Sequence, residues 1–107
     1  MIQETHEVDE DGNPAGGTTV GTGINVRWQN GPLGRGADRV PPNGAFIEDL
    51  LLAVIGRLRF YQTASDGRFA CRENALMLTH CEEALHWEQA RTAAREEAGV
   101  EGTHATH

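Results

Sequence analysis

At 107 residues the chain has material for one modest core and not for two that each fold alone. Its formal charge is -7, with Glu4, Glu7, Asp9, Glu10 and Asp11 crowded into the first eleven residues and nine arginines set against eleven acids in the remainder. That balance excludes the basic stripe by which a protein neutralises duplex phosphates, so no DNA partner is expected, and the longest apolar run, LLLAVIG, falls far short of a membrane span.

Residues 1–17 are acidic and then rich in Gly, Asn and Pro, with no sustained hydrophobic period. They are expected to be a mobile acidic N-terminus with room for one short strand near Ile2. A single domain is expected over residues 18–107: a β region and loop at 18–42, a helical hairpin at 43–98 and a tail at 99–107. Val20, Thr22, Ile24, Val26 and Trp28 alternate with Thr19, Asn25, Arg27 and Gln29, which reads as a half-buried strand or a bent pair of strands, with Gly21 and Gly23 permitting a bulge or turn. Asn30-Gly31 and the Gly- and Pro-rich stretch after it read as a loop.

The first helix is predicted to open at Asn43 as N-cap and to run to about Thr63. Ile47, Leu50, Leu51, Val54, Ile55, Leu58 and Tyr61 recur at spacings of three and four and form one apolar face. A short break at SDGR follows. The second helix is predicted from about residues 69–72 to Ala98, through Cys71, Ala75, Leu78, Cys81 or Glu82, Leu85, Arg91 and Arg95, with Gly99 ending it. The fold class is therefore α+β: a small N-terminal antiparallel β region followed by a long antiparallel two-helix hairpin. Helix one is too apolar for a lone hairpin, which predicts an oligomer.

The residue types leave little room for catalysis. His80, Cys81 and His86 lack the three- or four-residue spacing of ligands on one helical face, so no metal and no cofactor is expected. Cys71 and Cys81, ten residues apart on one helix, lie about 15 Å apart along its axis and are expected to be unbridged, as suits a reducing compartment. VGTGIN holds only two glycines of a dinucleotide fingerprint. Arg91 and Arg95 carry more: like charges four apart repel by ~0.2–0.5 kcal/mol, Glu88 can serve Arg91, and Arg95 has no acid three or four residues before it. An anion from elsewhere would answer them; so would solvent at a helix C-terminus. Phe60, Tyr61 and Trp87 by themselves read as core aromatics, with base stacking near the arginines as the alternative.

Four ordered segments, NVRWQNGPLG (25–34), NGAFIEDLLLAVIGRLRFYQ (43–62), FACRENALMLTHCEEALHW (69–87) and RTAAREEAGVEGTH (91–104), together resemble the first class of phage Thoeris anti-defence sponges, which share a helical-hairpin domain with anti-CBASS sponges. The resemblance covers about residues 20–104. It implies a β region on a helical hairpin, assembly as a dimer and on to a hexamer built as a trimer of dimers, and sequestration of cyclic ADP-ribose isomers (glycocyclic ADP-ribose) made by bacterial TIR proteins. Cyclic di- or trinucleotides at a second site are implied by some members. The ligand contacts it transfers are Asn74 in CREN, Arg91 and Arg95 in RTAAR, and an aromatic at the end of helix one, Phe60 or Tyr61. The tail GVEGTH, with Gly99, Gly102 and Thr103, offers backbone donors that would cradle phosphate.

Asn74 and Arg91 lie seventeen residues apart on one helix, about 26 Å, farther than one cyclic ADP-ribose reaches. If both touch one ligand, two hairpins must pair antiparallel, Asn74 of one beside Arg91 and Arg95 of the other. The expectation is a non-enzymatic trap in the cytoplasm of the infected bacterial host: Arg91 and Arg95 on pyrophosphate or ribose, Asn74 on a sugar or base edge, and Phe60, Tyr61 or Trp28 stacking adenine. The alternative is a helical oligomerisation or protein-interaction module without a nucleotide ligand.

Overall fold

The computed structural model describes residues 1–99. Three strands, β1 (Gln3–Val8), β2 (Pro14–Gly21) and β3 (Ile24–Arg27), form an antiparallel sheet in the order β1-β2-β3, and two helices follow, α1 (Ile47–Gly67) and α2 (Arg72–Glu97). The fold is α+β, as the sequence predicts. Two compact units divide the chain, Met1–Phe46 with the residues from Ala94, and Ile47–Ala93.

In the first unit the sheet extends further toward the N-terminus than expected. Residues 1–17, where one short strand near Ile2 was the most regular structure expected, form β1, which begins beside Ile2, and the first half of β2. The strand QETHEV has no apolar alternation to betray it, and all six of its residues are exposed. Its turn is built by Asp9, whose carboxylate accepts the backbone N–H groups of Asp11 (2.9 Å) and Asn13 (3.0 Å), while Thr5 and Thr18 pair across the ladder.

The stretch from Thr18 to Gln29 is a pair of strands with a two-residue turn at Thr22-Gly23, where Gly23 takes φ +80° at no steric cost. That turn inverts parity. Gly21 pairs with Ile24 and Thr19 with Val26, so odd residues of β2 share a face with even residues of β3. Thr19 is consequently buried and hydrogen-bonded to the Trp28 indole (2.9 Å), and Val20 is 39% exposed, the reverse of a single alternating strand.

Asn43 does not cap α1. Its side chain is bonded to Asn30, donating from Nδ2 to the Asn30 carbonyl (2.9 Å) and accepting the Asn30 N–H (2.8 Å), while Gln29 Oε1 accepts the N–H groups of Asn43 and Gly44. This reciprocal tie lays residues 43–45 along the end of β3, through a parallel bridge from Trp28 to Ala45, and the helix starts only at Ile47. A Cβ at Gly44 would stand 2.6 Å from the Arg27 carbonyl oxygen, so the close approach requires glycine there.

In the second unit α1 loses helical geometry at Ala64, and Ser65 and Asp66 take left-handed angles before Gly67. Gln62 closes the connection to α2. Its amide donates to the Cys71 carbonyl (3.1 Å) and accepts the Cys71 N–H (3.0 Å). Arg59, one turn earlier on α1, reaches Glu82 farther along α2 at 2.8 Å, so the contacts run in opposite directions along the two helices, the mark of an antiparallel hairpin. The predicted apolar face of α1 divides: Ile55 and Leu58 are buried and Leu50 and Leu51 half-buried, whereas Ile47, Val54 and Tyr61 remain exposed.

On α2 the less exposed positions are Asn74, Leu78, Cys81, Leu85, Glu88 and Thr92, a stripe at alternating spacings of four and three that continues to Arg95. It passes through Cys81, not Glu82, and leaves Cys71, Ala75 and Arg91 outside it. Cys71 and Cys81 are both free thiols.

Candidate functional site

Within the helical unit the end of α1 carries an aromatic platform. Phe60 is 50% and Tyr61 41% exposed, their ring centroids are 5.7 Å apart, and their planes meet at 64°. Neither is a core aromatic. The Arg57 guanidinium stands 4.7 Å from the Phe60 centroid and 5.0 Å from that of Tyr61, a contact that spacings of three and four along a helix make geometrically natural.

Asn74 sits in the first turn of α2. Its backbone N–H donates to the Cys71 sulfur (3.4 Å), which makes Cys71 the capping residue, and its half-buried side-chain amide has no hydrogen-bond partner among the described residues. Arg91 is exposed, and the ion pair with Glu88 that its spacing allows is not formed. One turn before it stands Trp87, 66% exposed and in edge contact with His86, so Trp87 is a surface aromatic and not part of a core.

The remaining expected residues belong to the other unit. Trp28 is half-buried, its indole N–H held by Thr19. Arg95 is 7% exposed and engaged within the chain, which sets it apart from the open guanidinium of Arg91 one turn earlier. Gly99 takes φ +75° and donates its N–H to the Glu96 carbonyl (3.0 Å), closing α2 as predicted. Gly102 and Thr103 lie outside the described residues.

Sequence reasoning did not single out Arg57. The signal was present: an arginine three and four residues before two adjacent aromatics on a helix. Among the described residues no group of three or more His, Cys, Asp or Glu side chains is gathered as metal ligands would be. No helix among them is long and apolar enough to cross a membrane.

The architecture is that of a helical-hairpin protein preceded by a small antiparallel sheet, with arginines and aromatics presented from both helices. A family model described as Acb2/Tad1, hairpin domain, matches residues 21–93, and the chain belongs to that family. The chain is also 49% identical over 80 residues to Thoeris anti-defense 1 of Bacillus phage SBSphiJ7, across 74% of this chain and 51% of that protein. It therefore spans about half the length of this curated relative. The matched segment contains Trp28, Phe60, Tyr61, Asn74 and Arg91, and it excludes β1, most of β2, and Arg95.

Proposed function

We propose that this chain is a phage anti-defence protein that binds and sequesters cyclic ADP-ribose isomer signals, the glycocyclic ADP-ribose made by bacterial TIR proteins, without degrading them, in the cytoplasm of the infected cell. The observation that carries this reading is the set of ligand-ready groups within the family-matched hairpin: two exposed aromatic rings, an amide without a partner among the described residues, and an exposed arginine. They suit the parts of such a ligand. A ring stacks adenine, Asn74 recognises a sugar or base edge, and Arg91 forks the pyrophosphate. Similarity to a protein named Thoeris anti-defense 1 supports the biological setting.

The same residues argue for holding over cutting. The Arg91 guanidinium and the Asn74 amide act by donating hydrogen bonds, and neither is a nucleophile. The 26 Å between Asn74 and Arg91 along α2 favours a pocket shared by two chains paired antiparallel, and the exposed Ile47, Val54 and Tyr61, seven residues apart on α1, supply apolar surface for assembly toward a hexamer built as a trimer of dimers.

Protein incubated with glycocyclic ADP-ribose, filtered, and then heated should first deplete the ligand from the filtrate and then release it intact. Release of a cleaved product would make the protein an enzyme. Undepleted ligand would leave the alternative, a helical interaction module. Parallel samples with cyclic di- and trinucleotides test the second ligand class.

A further inference from the structure

Three arginines flank the end of α1 and the connection beyond it, and their engagements differ. Arg59 is fixed by Glu82 at 2.8 Å. Arg68 lies over Phe69 at 4.8 Å, outside the helix. Arg57 meets no carboxylate among the described residues; its guanidinium covers the faces of Phe60 and Tyr61, the surfaces a base would stack on. A cation and a base compete for one ring face, and stacking of a neutral purine displaces the guanidinium or confines it to the edge of the platform.

We propose that Arg57 is a further ligand-binding residue: it occupies the aromatic platform in the unbound protein and transfers to a phosphate of the ligand when a purine takes the ring. The proposal rests on the nucleotide-trap reading and adds a chemical requirement to it. A ligand that carries a purine and a phosphate within one compact molecule satisfies both the ring and the displaced cation; a nucleoside satisfies only the ring, and an inorganic phosphate only the cation. The platform thereby selects nucleotides over either fragment, and the guanidinium keeps an exposed aromatic pair covered until such a ligand arrives.

The test is calorimetric titration of the wild-type chain, Arg57→Gln, Arg57→Lys and Arg68→Gln with glycocyclic ADP-ribose, at low salt and at about 1 M salt, where exposed charge contacts are screened. Arg57→Gln should bind at least about tenfold more weakly than wild type at low salt, and the difference should shrink at high salt. Arg57→Lys, which keeps the charge and loses the planar fork, should fall between the two, and Arg68→Gln should match wild type. Wild-type affinity in Arg57→Gln overturns the proposal, and so does a loss that is equal in the lysine and glutamine variants or unchanged by salt, because either pattern marks a residue that only shapes the rings. Absence of binding by every protein, wild type included, overturns the trap reading itself and is recognised by that uniformity.

Discussion

Gln62 and Asn43 do the same work at two places in the chain: a single amide side chain, offering one donor and one acceptor, pairs with both groups of a distant backbone residue. Gln62 in this way fixes Cys71 nine residues on, at the point where the chain must leave α1 through the left-handed Ser65 and Asp66 and enter α2. Two exposed hydrogen bonds, each in the lower half of the ~0.5–1.5 kcal/mol range, put the cost of Gln62→Ala at about 1–2 kcal/mol. Gln62→Glu keeps the acceptor but sets a carboxylate oxygen against the Cys71 carbonyl, so it should destabilise as well. Thermal unfolding at fixed protein concentration measures both; wild-type midpoints in the two variants would show that the tie contributes nothing.

Among the elements, legibility followed the physics that each one uses. The helices were readable because their apolar residues recur at three and four, and the break at SDGR and the stop at Gly99 are local backbone chemistry. Asn43 was misread because an asparagine before a helix fits an N-cap and a cross-chain tie equally, and only the third dimension brings Asn30 to it. β1 was legible only as a short strand near Ile2 because a solvent-facing strand needs no hydrophobic alternation, and the parity of β2 against β3 was inverted because the count of even positions ran straight through the turn that Gly21 and Gly23 permit. Of the proposed site residues, Phe60, Tyr61 and Arg91 are exposed and Asn74 is half-buried, whereas Arg95 is buried at the end of the stripe that runs along α2, where the sequence reading looked for an open cation. The division of the α1 face gives a prediction at this scale. Ile55, 2% exposed, should cost about 2–5 kcal/mol when cut to alanine, and Val54, 47% exposed, should cost the single chain little on conversion to serine. Val54→Ser should instead weaken self-association, seen as a larger dissociation constant in sedimentation equilibrium; an unchanged constant would remove that stripe from the interface.

For the whole molecule the decisive question is whether one chain is a complete binder. A pocket shared across a two-fold axis predicts that Asn74→Ala and Arg91→Ala proteins each fail to deplete ligand, yet regain capacity when refolded together, because in a mixed dimer both lesions fall in one site and leave its twin intact. Arg91 is the better choice for this test than Arg95, whose burial would confuse lost binding with lost folding. Mixed oligomers confirmed by native mass spectrometry without recovered capacity would mean that one chain supplies both groups or neither. Under the proposed function the protein silences a signal by holding it, which requires numbers comparable to the signal itself and a chain that stays dispersed when crowded. The sheet bears on that demand. β1 is an edge strand, exposed along its whole length, of the kind that recruits other edges into fibres. Glu4 and Glu7 on that edge, with Asp9, Glu10 and Asp11 at the turn beyond it, place like charges wherever two copies would meet edge to edge. The acidic N-terminus thereby sets charge repulsion against edge-to-edge pairing of copies along β1.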